Sequence, residues 1–343
     1  MKWTVETISE LRGYTVEWAE PDSFYLSRRN EIFHATSLKP PFEKIGTATA
    51  PAWKSIVSRV RLAQRLLRFA VTNVIPLKNG ETFVAFDKSI GVIRNGKFQI
   101  LKNLVRPCRI LRAACAIDGK GDVYFGEYID NATRGAMRIY RYRQGADALE
   151  IAYTFPEKTI RHVHGIYFDE FTESLFCLTG DADDECCFWR SNDGFRTIER
   201  VGTGDETWRA VSVQFKKDAF YYGMDAEYQT NHIYKIDRRT LDRKSLGEVN
   251  GTVFYSKKIG ADLFFATTAE NAPSQIENVA AVWHVDENDH LQKIASFKKD
   301  RRHPSLFMFG IIHFPFVNRL ENELYLHVVG VEEDNQVFRL RRG

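Results

Sequence analysis

A chain of 343 residues, 44% hydrophobic and 13% aromatic, has ample material for a large core, which sets disorder aside. Its formal net charge of +3 is nearly balanced and argues against nucleic acid as a partner. Five cysteines (Cys108, Cys115, Cys177, Cys186, Cys187) are an odd number without a disulfide framework. No apolar run approaches the roughly 18 residues of a membrane span. The opening residues 1–8 lack the apolar core of a signal peptide. The simplest expectation is a cytoplasmic protein, with Cys115 and Cys177 as buried thiols.

Trp3–Ile8 alternates like a strand but stands outside the pattern that follows. Seven units then succeed one another, most of about 35–50 residues, the period of propellers and solenoids. The first, from about Tyr14 to Thr47, has candidate strands Tyr14–Trp18, Phe24–Arg28, Ile32–Thr36 and Phe42–Gly46, reversed at Pro21-Asp22 and Arg29-Asn30. The second, about Thr72 to Val105, turns at Asn79-Gly80 and Asn95-Gly96, both strong hairpin signals. The third runs from about Arg109 to Phe155, the fourth from Thr159 to Val201 and the fifth from Thr207 to Val249. The sixth spans about Gly251 to Phe297. The seventh, Phe307 to Leu340, offers only three strands, Phe309–Phe314, Glu323–Val329 and Gln336–Arg341. Pairing the spare Trp3–Ile8 with it closes the ring and removes a free sheet edge. The expected fold is all-β, one seven-bladed β-propeller spanning 1–343.

Residues 50–70 interrupt the pattern between the first two units. Ile56, Val60, Ala63, Leu67 and Ala70 recur at helical spacing, and Lys54, Arg59, Arg61, Arg65 and Arg68 make the segment basic. The expectation is one amphipathic helix on the propeller's edge. Its basic flank is either solvated or touches an anionic membrane surface or a partner protein.

Ser191-Asn-Asp193-Gly194-Phe-Arg-Thr197-Ile198 resembles the Asp-box turn of sialidases and related propellers, with glycine one place early and Ile198 in place of tryptophan. Fainter echoes occur at Asp237-Arg-Arg-Thr240 and Asp286-Glu-Asn-Asp289. The resemblance implies a turn whose aspartate bonds backbone amides, away from any active site. The run of units also resembles propellers associated with bacterial polysaccharide genes.

Aligning the third to fifth units superimposes Arg112-Ala-Ala, His164-Gly-Ile and Arg209-Ala-Val at the start of the first strand. Glu127, Asp181 and Asp225 then fall at the end of the second. A blade's first strand begins on the face where its second ends, so all six should ring one mouth of the channel. A charged cluster confined to a few blades suits a site, although buried salt bridges between blades are the plainer alternative. Arginine forks match carboxylates, so Arg112, Arg161 and Arg209 are candidate substrate-binding residues. His162, His164, Glu127, Asp181 and Asp225 are candidate catalytic acids, bases or nucleophiles. Trp208, Tyr128 and Tyr228 flank them and could stack on sugar rings.

The sialidase resemblance implies three arginines on a substrate carboxylate, and some propeller lyases neutralise a uronate similarly. The expectation is cleavage of an acidic oligo- or polysaccharide by hydrolysis or β-elimination. The rival is a non-catalytic propeller that binds a glycan or protein and scaffolds polysaccharide synthesis, docked to the inner membrane face or a partner through 52–70. No cofactor is expected. No metal is assigned: Asp181-Ala-Asp183-Asp184-Glu185 lacks the glycine and distal glutamate of a calcium loop, and Cys186-Cys187 has no second cysteine pair.

Overall fold

The computed structural model of the chain describes residues 2–104, 112 and 114–343. Cys108 and the start of the third unit lie outside them. Seven sheets, antiparallel but for one short added strand, follow in sequence as the blades of a β-propeller. The fifth blade shows why its sequence folds so. Ala219–Met224 is buried along its whole length, because a second strand packs against neighbouring blades on both faces, and it accordingly carries only apolar, aromatic or small residues. The outermost strand Arg243–Val249 is mostly exposed and carries the charges.

The ring closes as the spare strand required. Trp3–Thr7 pairs antiparallel with Val337–Arg342, with Trp3 opposite Arg342 and Val5 opposite Leu340. Trp3 packs edge-on against Phe264 of the sixth blade, 4.9 Å between ring centroids. A short strand that periodicity did not suggest, Val317–Asn318, adds in parallel to the first strand of blade 1, which therefore has five strands. The thiols of Cys115, Cys177, Cys186 and Cys187 are free and buried. Among the described residues, no helix is long and apolar enough to cross a membrane.

The 50–70 insertion departs from expectation. It forms two short helices, α1 (Ala52–Val57) and α2 (Arg61–Leu67), broken at 58–60. Its polarity is reversed in part, although Leu67 packs on the core as expected and Arg59 is exposed. Ile56 and Val60, expected against the propeller, are 61% and 64% exposed, whereas Arg65 is only 4% exposed. The reason is charge. Arg61 pairs with Asp334 at 2.7 and 2.9 Å, Arg65 with Asp300 and the Phe307 carbonyl, and Lys54 with Asp87 at 3.3 Å. Each acid stands at the upper rim, the face where first strands begin, so the basic side is drawn inward and the apolar side left outside.

Candidate functional site

At that rim, the first strands of blades 1, 2, 4, 5 and 6 each carry a register shift in their opening residues. Such bulges re-aim side chains. In blade 4 the shift falls between Val163 and Gly165, and the rings of His162 and His164 lie 5.0 Å apart beside Asp181. Asp181 lies two residues past the second strand of the same blade, Ser174–Thr179, with φ +91°, a strained backbone for a residue with a side chain. Gly180 before it must be glycine: a Cβ would lie 2.9 Å from His164 and 3.0 Å from the Arg209 stem.

Arg209, immediately before the first strand of blade 5, links two carboxylates. Its Nη2 lies 3.1 Å from Asp181 Oδ1, and its Nε donates to Asp225 Oδ2 at 3.2 Å. Arg161 reaches the other Asp181 oxygen at 3.5 Å and Asp130 at 3.2 Å. Tyr128 packs on His162, 4.0 Å between rings. Burial, reinforced by the charges of Asp181 and Asp225, pushes its phenol up to about 12, so it remains a proton donor at neutral pH.

The two aspartates respond oppositely to this environment. Burial alone would raise Asp181, but a proton or other positive charge held between it and the adjoining His162 and His164 outweighs burial and keeps the carboxyl far below its ordinary range. Asp225 is raised, because burial prevails over Arg209. Glu270, facing the same space from blade 6, is raised to about 7 by burial and by the charge of Asp225. One wall of the channel thus combines a carboxyl shifted toward its ionised form with two shifted toward their protonated forms.

Tyr128, His164, Asp181, Arg209, Asp225 and Glu270 share a cavity of about 400 Å³ whose lining also includes the apolar Phe254, Phe309, Ile311 and Val329. Arg61, Gln64, Arg65 and Arg68 also line it, so the insertion lies over the mouth as a partial roof.

Of the sequence candidates, His162, His164, Asp181, Arg161, Arg209, Asp225 and Tyr128 come together. Three do not join them, and Arg112 lines the cavity only as a group that already has a counter-ion. Glu127 turns into its own blade, accepting from Tyr140 Oη at 2.7 Å and the Arg138 amide at 2.9 Å. Arg112 is bound to Glu17 in a buried pair. Trp208 packs between blades, stacked on Tyr222 and covered by Arg243. Tyr228 is 72% exposed on a loop. Of the six-residue ring, five line the cavity: Glu127 bonds within its sheet instead, and Arg112 stands in the cavity wall already paired with Glu17 from blade 1.

The acidic loop also disperses. Asp181 faces the channel, while Glu185 accepts from Arg134 and the Arg161 amide. Reasoning from sequence passed over Glu17, His313 and His327. Glu270 is the acid just past the second strand of blade 6, the place that Asp181 and Asp225 hold in theirs. Glu17 could have been found as a charge inside a strand with no solvated face.

The Asp193 turn lies at the opposite end of its blade. Asp193 accepts from the Thr197 amide at 2.9 Å, and Asp237 and Asp286 cap the equivalent turns of blades 5 and 6 in the same manner.

No family model matches the chain, and no curated protein matches it. Solved structures do match in fold. The extracellular domain of a hybrid two-component system from B. thetaiotaomicron aligns over 100% of this chain with TM-score 0.61 and 12% identity. This chain spans only 40% of that protein's chain. An oligogalacturonate lyase in complex with manganese aligns over 99% of this chain and 90% of its own, with TM-score 0.56 and 10% identity. The WD40 propeller domain of Doa1 gives TM-score 0.56 and 10% identity, covering 99% and 96%. At such identities the likeness establishes a β-propeller and nothing finer.

Proposed function

We propose that this propeller binds an acidic glycan end-on in the roofed channel and cleaves it, by hydrolysis or β-elimination. The observation that carries the reading is Arg209 bridging two carboxyls shifted in opposite directions, in a cavity whose apolar lining offers a sugar ring a surface to rest on. Arg161 and Arg209 would hold the substrate carboxylate, His162 or His164 with Asp181 would accept a proton, and Asp225 or Glu270 would donate one. A propeller of similar fold named as an oligogalacturonate lyase supports the substrate class. Purified protein incubated with uronate-containing and sialylated oligosaccharides tests this. New reducing ends accompanied by the ultraviolet absorbance of an unsaturated uronate indicate a lyase, and reducing ends alone a hydrolase. Neither signal, with calorimetry showing no binding, overturns the proposal.

A second reading, a binding scaffold held through 52–70, is favoured by one observation. Trp53, Ile56, Val57, Val60, Leu62 and Leu66 are all exposed on α1, α2 and their link. Large exposed apolar clusters mark contact sites. The residues from 48 to 80 contain no acid, which suits an anionic membrane surface at the inner face. Co-sedimentation with anionic vesicles that Ile56→Ser and Val60→Ser abolish supports docking; no difference from neutral vesicles counts against it.

A further inference from the structure

We infer that His162, His164 and Asp181 bind one first-row divalent transition-metal ion. Each offers a ligand atom, and these atoms lie within 4.8 Å of one another. Nδ1 of His162 stands 3.1 Å from the Ile129 carbonyl. A carbonyl only accepts, so Nδ1 carries the proton and the neutral ring keeps its lone pair on Nε2. That Nε2 faces Asp181 Oδ2 at 3.0 Å, another atom that only accepts. Both are buried, and neither has a hydrogen-bond partner among the described residues. Two buried acceptors at this distance repel unless a cation stands between them.

The spacing suits a metal. Two ligands of one ion, with bonds of about 2.0–2.1 Å at angles between square and tetrahedral, lie about 2.9–3.4 Å apart. A proton on Nε2 fits less well, because the pair lacks hydrogen-bond geometry. His164 supplies the third ligand, with Nε2 3.6 Å from Asp181 Oδ1 and Nδ1 buried without a hydrogen-bond partner. The Ile129 carbonyl orients His162, and Arg209 holds Asp181 Oδ1, as outer partners of metal ligands do. His164 and Asp181 line the cavity, which leaves the remaining coordination positions on the channel side. Arg161, 3.5 Å from Oδ2, is the competing cation; it is partly exposed and has Asp130 to withdraw to. Two imidazoles and one carboxylate suit zinc, cobalt or iron(II) better than calcium or magnesium. The assignment does not depend on the glycan reading; in that reading an ion there would occupy the lone pairs of His162 and His164 and act as a Lewis acid beside Arg209, in place of their role as proton acceptors.

The test is retention of metal by the full-length protein. Chelator-stripped protein is dialysed against Zn²⁺ or Co²⁺, the bound ion is counted, and the visible spectrum of Co²⁺ is recorded. One equivalent is expected, with the spectrum of a mixed nitrogen and oxygen site. His162→Ala and Asp181→Asn should weaken binding by ~100-fold or more. Arg161→Gln should bind more tightly, a gain that misfolding cannot produce. Wild-type protein retaining no ion, or Asp181→Asn retaining it unchanged, overturns the assignment. So does a nitrogen NMR spectrum showing both His162 nitrogens protonated in the presence of metal.

Discussion

Arg112 and Glu17 meet as a buried pair, Nη1 to Oε2 at 2.8 Å and Nη2 to Oε1 at 3.1 Å, joining the start of blade 3 to the first strand of blade 1. Ser27 also donates to Glu17 at 2.6 Å. Arg112→Ala strands a carboxylate in the interior, and the expected loss of stability is about 3–5 kcal/mol. Replacing both partners by apolar residues of similar volume should recover most of it. Urea unfolding of the single and double variants checks this.

Arg209 is the contrasting arginine. Arg209→Ala should lower affinity for an acidic oligosaccharide by roughly 10–100-fold, the range for a lost hydrogen bond to a charged group. Arg209→Lys keeps the charge but loses the fork, and should restore only part of it. Calorimetric titration separates the two, and an affinity unchanged in Arg209→Ala would remove it from the ligand site.

Glu270 makes stability depend on pH. Its folded value of about 7 lies above the ordinary 4.5, so between these values the folded protein holds a proton that the unfolded chain releases. Stability from this group is therefore lost as pH rises from about 4.5 to about 7, then levels off, amounting to roughly 3 kcal/mol at most. Glu270→Gln should flatten that slope and be the more stable protein at pH 8. Melting temperatures across pH for both proteins check the sign.

Closure of the ring rests on Trp3. Trp3→Ala removes a buried indole from Phe264 and His284 and should cost about 3–5 kcal/mol. Hydrogen exchange should show the Trp3–Thr7 and Val337–Arg342 pair opening first.

The roof is testable by proteolysis. Arg65→Ala removes the contacts to Asp300 and Phe307, leaving Lys54 and Arg61 to hold the segment. Trypsin should then cut at Arg59 several-fold faster while the blades stay intact.

Most of the blade order was legible because strands buried on both faces read as continuous apolar runs, as in Ala219–Met224. The closing strand was legible because an unpaired Trp3–Ile8 needed a partner. The site was legible in part. His164, Asp181, Arg209 and Asp225 followed from strand ends, but position alone does not reveal a counter-ion. Nothing in the local sequence of Arg112 indicates Glu17, which is 95 residues away, so Arg112 read as another free fork. The insertion was misread for a related reason. Periodicity identifies the two faces of a helix, but the acids Asp300 and Asp334 decide which one turns inward, and they lie in other blades.

The roof also limits the traffic through the channel. For the acidic glycan proposed above, a partly covered mouth would favour entry by the tip of a polymer over a segment of its middle. Under the proposed cleavage, departure rather than bond-breaking would then be the slow step of a cycle. Loosening the Arg61 and Arg65 latches should hasten repeated cycles before it weakens capture.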